Sequence, residues 1–310
     1  MTGGGAPGAD RAGRRGLPRR IFGSRRRFAV NVTVALTLVG ALIVLDFRGW
    51  LEARMAYFPS REPFDTPAGF EDVTFQTPEG LGLHGWFMPA APGVAGASED
   101  GRRPAILHVH GNAGHVGLHA EFSEFLTQAG FHVFVFDYRG FGRSDRGGRL
   151  TRQKLVTDTH AALDYLLGRD DVDPARIGTF GYSLGGVIGL SAAAKRPEIR
   201  AVAAIAPFSS WKAIARDHLG GVGGVLARTG VDAETAAAQL GERPLLLLHG
   251  DADHIVPAAH SQRLAEVCRE AGVHAELVII AGGDHVSVLD PARARQAVAD
   301  FFREALAPAD

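Results

Sequence analysis

The sequence predicts an α/β fold: a mostly parallel eight-stranded sheet with helices on both faces and a small lid insertion, preceded by one transmembrane helix. Eight short apolar runs have the length and composition of strands, and helical segments separate them from residue 105 onward. This alternation is typical of parallel strands joined by right-handed crossovers. About 255 residues are ample for one large core. The expected strands are 72–77, 82–88, 105–110, 132–136, 176–181, 200–205, 244–249 and 275–280.

The N-terminal 47 residues have a different composition from the rest. Residues 1–27 contain eight arginines against one acidic residue, Asp10, and are rich in glycine and proline. Such a segment cannot build a core, and we predict a disordered basic tail. Residues 28–47 follow as a predicted transmembrane signal anchor, since the uncharged run from Phe28 to Leu45 would span roughly 27 Å as a helix.

The charge on either side of this span predicts its orientation. Arginines crowd the N-terminal side, so the tail should stay in the cytoplasm and the domain of residues 48–310 should lie outside it. Residues 24–28, Ser-Arg-Arg-Arg-Phe, also fit a twin-arginine export signal, which would deliver the same domain to the same side. The apolar run continues past the poor cleavage site at Val39-Gly40-Ala41, which favours a retained anchor.

Charge and cysteine content limit the function classes. Removing the tail's eight basic residues and one acidic residue from the chain's 33 and 34 leaves 25 and 33. An acidic body of this kind argues against nucleic acid as a partner. Cys268 is the single cysteine, so an intramolecular disulfide is excluded. The sequence shows no cluster of metal-ligand type, and we expect neither a metal nor an organic cofactor.

The segment Gly181-Tyr182-Ser183-Leu184-Gly185-Gly186 carries the main chemical signal. It lies between a strand-like run and a small-residue run with helical spacing. Gly-x-Ser-x-Gly in this setting is typical of a nucleophile elbow, a strained turn that lifts the serine hydroxyl above the sheet. The flanking positions must lack bulk, which explains the glycines. Ser183 is therefore the predicted nucleophile.

Two later loops offer partners for this serine. The apolar run 245–248 is followed by Asp251 and Asp253, and either carboxylate could orient a histidine. The run 275–280 is followed by two glycines and then His285. The glycines let this loop bend back over the sheet, so that His285 can accept the proton of Ser183 and return it to the leaving group.

Two backbone N–H groups are expected to form the oxyanion hole. One belongs to Leu184, the residue after the nucleophile. The other should come from the glycine-containing loop after strand 105–110, where Asn112 is the predicted donor. We interpret His110 as a buried residue that braces this loop, and the segment 137–142, Asp-Tyr-Arg-Gly-Phe-Gly, as one that orders the loops around the site.

Taken together, these motifs resemble the α/β-hydrolase superfamily over about residues 55–308. More narrowly, they are similar to its membrane-anchored serine hydrolases, which include lipid hydrolases and protein depalmitoylases. The resemblance implies that Asp253 is the orienting acid, because it occupies the fifth position of a His-Gly-x-x-Asp-x-x-Val-Pro segment, and that Asp251 is a turn residue. The chain lacks the cysteine cluster that directs the depalmitoylating members to membranes.

The resemblance implies a hydrolase that cleaves esters or thioesters through an acyl-enzyme on Ser183. Two alternatives remain: a peptidase of the prolyl-oligopeptidase type, disfavoured because no β-propeller sequence precedes the domain, and a catalytically silent anchored scaffold. The insertion 207–242 is long enough for a lid, and its apolar residues either cover an apolar substrate or complete the core. Trp211 is the predicted substrate contact, and the expected partner is a small or lipid-like ester.

Overall fold

The computed structural model describes residues 1–4 and 20–308, so most of the predicted basic tail, residues 5–19, lies outside the described residues. Two compact units are present, one ending at Phe47 and one beginning at Arg48. Helix α1, Arg20–Ala56, belongs to both. Its segment Val30–Ala56 is long and apolar enough to cross a membrane. Large apolar side chains over residues 30–44 are exposed within the structure: Val30, Val32, Val34, Leu36, Leu38, Val39 and Val44.

Helix α1 continues nine residues beyond the predicted end of the span at Phe47. No glycine pair or proline interrupts it before Phe58–Pro59. Ala53 and Ala56 in its last turns pack against the core of the second unit. The helix therefore persists past the apolar run because its end is stabilised by tertiary contacts as well as by its own backbone hydrogen bonds.

Ten strands follow. They are β1 (Phe58–Pro59), β2 (Glu71–Gln76), β3 (Gly82–Met88), β4 (Arg103–Val109), β5 (Ala113–Gly114), β6 (His132–Phe136), β7 (Val172–Tyr182), β8 (Ile199–Ile205), β9 (Leu245–Gly250) and β10 (Ala275–Ile280). Eight of these form one sheet in the order β10-β9-β8-β7-β4-β6-β3-β2, in which β3 runs in the opposite direction to the other seven. The predicted eight-stranded, mostly parallel sheet is confirmed. The two-residue strands β1 and β5 pair separately, and the sequence had not indicated them.

Helices cover both faces of the sheet. They are α2 (Val116–His119), α3 (Glu121–Gln128), α4 (Arg152–Leu167), α5 (Leu184–Ala193), α6 (Trp211–Leu226), α7 (Ala233–Ala237), α8 (Ala259–Ala271) and α9 (Ala292–Ala305). One apolar cluster joins the sheet to α4, α5, α7 and α8, and the other joins it to α3 and α9. Because the buried strands are apolar on both faces, each face carries a helical layer.

The insertion 207–242 divides into two parts. Helix α7 is buried through Ala233, Ala236 and Ala237 and belongs to the core. Helix α6 is broken at Gly220, whose φ of 64° and ψ of −156° reverse the chain. Its second half folds back on the first so closely that a Cβ at Gly223 would lie 2.0 Å from the Ala215 carbonyl oxygen. The part that covers the site is therefore a short helical hairpin.

Candidate active site

Ser183 lies in a strained turn between β7 and α5. Its φ of 53° and ψ of −117° are rare for a residue with a side chain. The neighbouring positions have no room for a side chain, which is why they are glycine. A Cβ at Gly185 would lie 1.8 Å from the Val109 carbonyl oxygen. A Cβ at Gly181 would lie 2.4 Å from the Gly185 carbonyl oxygen. The turn thus brings the start of α5 against the end of β4, and the hydroxyl lies above the carboxyl edge of the sheet.

The structure brings Ser183, His285 and Asp253 into one hydrogen-bonded chain. Nε2 of His285 lies 3.0 Å from the Ser183 Oγ, and Nδ1 lies 2.7 Å from Oδ2 of Asp253. Nδ1 therefore carries the proton that it donates to the carboxylate, and Nε2 is free to accept the serine proton. All three residues follow parallel strands, at the edge where α/β proteins bind ligands.

Asp253 is held as a carboxylate by its surroundings. Burial alone would raise its pKa, but hydrogen bonds from His249, His285 and the Val256 N–H outweigh burial and hold the pKa well below its usual range. Its Oδ1 accepts the N–H groups of Ile255 and Val256 at 2.9 and 2.8 Å. The carboxylate is therefore both charged and fixed in orientation when it meets His285.

His249 supports the same loop and was missed by the sequence analysis. This fully buried histidine accepts the Ser261 hydroxyl at Nδ1, 2.7 Å away. Its Nε2 donates to the Val256 carbonyl at 2.7 Å and lies 3.3 Å from Oδ2 of Asp253. The His249 imidazole at the end of β9 therefore connects the loop that carries Asp253 to α8 through hydrogen bonds.

The loop that carries His285 is held from two sides. Asp251 is exposed, and its Oδ1 accepts the Gly282 N–H at 2.7 Å. The Tyr182 hydroxyl donates a short hydrogen bond to the His285 carbonyl. Asp251 thus fits the predicted role of a turn residue and is not in contact with the histidine. Tyr182, the residue between Gly181 and Ser183, therefore helps to position the His285 loop, a role that the Gly-x-Ser-x-Gly motif did not indicate.

Leu184 and Asn112 are the residues predicted to donate N–H groups to an oxyanion. Within the described residues, neither N–H donates a hydrogen bond to the protein. Both residues line the same cavity as Ser183 and His285. The Asn112 carbonyl accepts the Phe58 N–H at 2.8 Å, so the small β1–β5 pairing holds this loop in place. The arrangement is suited to binding an oxyanion.

A cavity of about 320 Å³ opens at Ser183. Its lining is mainly apolar and comes from residues 48–56, the α6 hairpin and the loops after β8 and β9: Leu51, Met55, Phe208, Trp211, Ile214, Leu219, Leu226, Ile255 and Val256. Trp211, the predicted substrate contact, lines the cavity, but it is nearly buried, and its Nε1 donates to the Val231 carbonyl at 2.9 Å. It is therefore a fixed wall of the cavity and part of the core.

The cavity wall contains an ion pair that the sequence analysis did not find. Arg152 at the start of α4 binds Glu52 of α1 at 2.8 Å, and both side chains are largely buried. The Arg152 guanidinium also stacks 4.0 Å from the ring centroid of Trp211 and donates to the Arg228 and Gly230 carbonyls. This cluster joins the end of α1 to α4 and to the segment after α6.

The two expected bracing segments have this role. His110 is fully buried and its Nδ1 donates to the Gly111 carbonyl at 2.8 Å. Asp137 accepts the Val116 N–H at 2.8 Å, and the Tyr138 hydroxyl donates to the His110 carbonyl at 3.1 Å. Arg139 is paired with the buried Asp158 at 2.6 Å. Over residues 1–4 and 20–308, no group of three or more His, Cys, Asp or Glu is arranged to hold a metal ion.

Sheet order, elbow and site together place this protein in the α/β-hydrolase superfamily. Residues 119–308 match the model of the prolyl oligopeptidase family. The uncharacterized protein YfhR of Escherichia coli K12 is 34% identical over 277 residues, covering 86% of this chain and 94% of that protein. The alpha/beta hydrolase domain-containing protein WAV2 of Arabidopsis thaliana is 30% identical over 217 residues, covering 63% of this chain and 65% of that protein.

Solved structures share the fold. The esterase Pf2001 of Pyrococcus furiosus superposes with a TM-score of 0.67 at 18% identity, covering 81% of this chain and 98% of that one. At this identity the likeness shows the fold alone. The sequence match is more specific, and the chain belongs to the prolyl oligopeptidase family of serine hydrolases.

Proposed function

We propose that this protein is a membrane-anchored serine hydrolase that cleaves carboxylic esters or thioesters with an apolar acyl chain. The observation that carries the proposal is the Ser183–His285–Asp253 chain of hydrogen bonds at the mouth of an apolar cavity. An apolar cavity beside a nucleophile stabilises a bound acyl chain, since each buried methylene contributes about 0.8 kcal/mol.

The reaction begins with attack by Ser183. Its Oγ adds to the substrate carbonyl carbon while Nε2 of His285 accepts the hydroxyl proton, and Asp253 stabilises the imidazolium. The oxyanion is bound by the N–H groups of Leu184 and Asn112. His285 then donates the proton to the leaving oxygen or sulfur, and the acyl group stays on Ser183. Water attacks the acyl carbon while His285 accepts its proton; the bond to Ser183 then breaks, His285 returns the proton to the Ser183 Oγ, and the carboxylic acid leaves.

Membrane anchoring and an extracytoplasmic site are the second part of the proposal. They are supported by the apolar segment Val30–Ala56 and by the eight arginines among residues 1–27. An anchored enzyme meets lipid-like substrates at the membrane surface, where an apolar acyl chain is concentrated.

A peptidase is the second candidate, and the match of residues 119–308 to the prolyl oligopeptidase family favours it. The same Ser–His–Asp chemistry cleaves an amide when His285 protonates the leaving amine. A substrate panel separates the two, because an esterase with an apolar acyl cavity leaves proline-containing peptide amides intact.

The test uses the full-length protein in detergent with p-nitrophenyl esters from acetyl to octanoyl. We expect kcat/KM to rise severalfold for each added pair of carbons, because part of the methylene burial energy is realised in the transition state. Ser183→Ala, the matched control, should lose hydrolysis and covalent labelling by a fluorophosphonate. Rates that fall steadily from acetyl to octanoyl would overturn the apolar acyl specificity, and undiminished labelling of Ser183→Ala would overturn the nucleophile.

A further inference from the structure

The second half of α6 exposes large aliphatic side chains at the rim of the cavity. Val222 is 68% exposed and Val225 is 76% exposed, and Leu219, just before the reversal, is 47% exposed. We call these three residues the α6 surface. Isolated exposed aliphatic residues are common, but several within one turn-and-helix segment mark an interaction site.

The α6 hairpin has an inner and an outer side. Gly223 is buried against the Ala215 carbonyl, and Leu226 lines the cavity. Val222 and Val225 precede these two residues and point away from the protein, as their exposure shows. The hairpin is therefore a thin amphipathic cover: Val222 and Val225 lie on the side away from the cavity, and Leu219 lies at the rim, where it lines the cavity and is also exposed.

Arg48 joins this cover to the end of α1. Its guanidinium donates to the carbonyls of Val225, Leu226 and Ala227 at 3.0, 2.8 and 2.7 Å. Arg48 directly follows Phe47, the last residue of the predicted span, in the sequence. Trp50 follows two residues later and is 47% exposed, and tryptophan is enriched where a span meets the membrane–water interface.

Basic side chains gather around the same residues. The Arg54 guanidinium lies 5.9 Å from the ring centroid of Trp50. A Cβ at Gly49 would lie 3.1 Å from Nη1 of Arg228, so this guanidinium lies against the same part of α1. The nearby acid Glu52 is neutralised by Arg152. A positive rim around apolar side chains complements a lipid surface with anionic phosphate headgroups.

We propose that the α6 surface and Trp50 dock into the lipid surface, with Arg54 and Arg228 at the level of the phosphates. The proposal rests on the membrane anchoring proposed above and adds a route for the substrate. An acyl chain enters the cavity from the lipid side of the α6 hairpin, without crossing water.

The test places a fluorescent NBD label at position 222 of the full-length chain, in a Cys268→Ala background. Val222→Cys is compared with Glu304→Cys, an exposed position on α9. Both are reconstituted into vesicles of phosphatidylcholine and phosphatidylglycerol. We expect doxyl-labelled lipid to quench the label at 222 severalfold more than the label at 304, and aqueous iodide to show the opposite order. Val225→Cys repeats the measurement at a second position.

Two results would overturn the proposal. Equal iodide quenching at 222, 225 and 304 would mean that the α6 surface faces water. Protection from both quenchers, with crosslinking of Val222→Cys between chains, would mean that a second copy covers the surface. Fluorophosphonate labelling of Ser183 in the same vesicles reports the hydrolase proposal separately, because it does not depend on where the α6 surface lies.

Discussion

Two aspartates only two positions apart differ completely in environment. The Asp253 side chain is buried and bound to His285, whereas Asp251 is exposed and caps the Gly282 N–H. Hydrogen bonds hold the pKa of Asp253 low in the folded protein. The ionised carboxylate therefore adds to the free energy of unfolding at pH values above its unfolded-state pKa of about 3.9. That contribution is lost only as the pH falls through the lower folded-state value.

Asp253→Asn should therefore cost far more activity than Asp251→Asn. The asparagine cannot hold His285 in the tautomer that accepts the serine proton, and a fall in kcat of about 10³- to 10⁴-fold is expected. Asp251→Asn keeps an oxygen for the Gly282 N–H and should stay near wild type. Steady-state kinetics on one ester decide between the two carboxylates, and a crippled Asp251→Asn beside an active Asp253→Asn would reverse the assignment.

At the scale of single elements, the position of α5 depends on the absence of side chains at its start. Gly185 is pressed against the end of β4, so that Leu184 and the loop carrying Asn112 lie at the same cavity. The strained φ of Ser183 is maintained by this packing. The elbow is thus a property of the β7–α5–β4 junction as a whole.

Gly185→Ala should destabilise the protein by several kcal/mol and abolish activity, since the new methyl group overlaps the Val109 carbonyl and both backbones must move apart. Gly221→Ala is the matched control, because a Cβ there meets nothing within 4 Å. Thermal unfolding of both variants, with fluorophosphonate labelling, is the measurement. A stable, labelled Gly185→Ala would show that the junction is looser than the contacts indicate.

The end of α1 is held by the ion pair between Glu52 and Arg152. Glu52→Gln leaves the largely buried guanidinium without a counter-charge, and we expect a loss of about 2 kcal/mol in stability, or a fall of several degrees in Tm. Glu62→Gln, at an exposed position, is the control and should leave Tm unchanged. Equal Tm values for the two variants would show that the pair contributes nothing.

At the scale of the whole molecule, residues 48–56 connect the apolar segment to the cavity wall. A soluble fragment that begins at Tyr57 would lose Leu51, Glu52 and Met55 from the cavity. The unit that begins at Arg48 therefore includes the residues that complete the cavity wall.

The C-terminus should lie outside the cytoplasm. Arginines flank the N-terminal end of the apolar run, and positive residues are retained on the cytoplasmic side. β-Lactamase fused to the C-terminus should confer ampicillin resistance, because it acts only outside the cytoplasm and can be exported by either route. A sensitive strain that contains the intact fusion would mean the opposite orientation.

The eight-stranded α/β fold and the order of its motifs could be predicted from local patterns in the chain. These features depend on neighbouring residues: apolar runs of strand length, helical spacing, and glycines beside Ser183. The loops with Asn112, Asp253 and His285 could be found because each directly follows a strand, and the structure brings them together at one edge of the sheet. That they carry out catalysis stays a prediction until the variants are measured.

The walls and supports of the site depend on contacts between residues that are far apart in the sequence. Glu52 and Arg152 are 100 positions apart, and Tyr182 and the His285 carbonyl are 103 apart. No local pattern distinguishes such residues from other charged or aromatic residues, because their partners are chosen by packing and by the need to satisfy buried polar groups. The reversal of α6 at Gly220 and its contact at Gly223 belong to the same class, since a close backbone approach becomes visible only once both segments are in place.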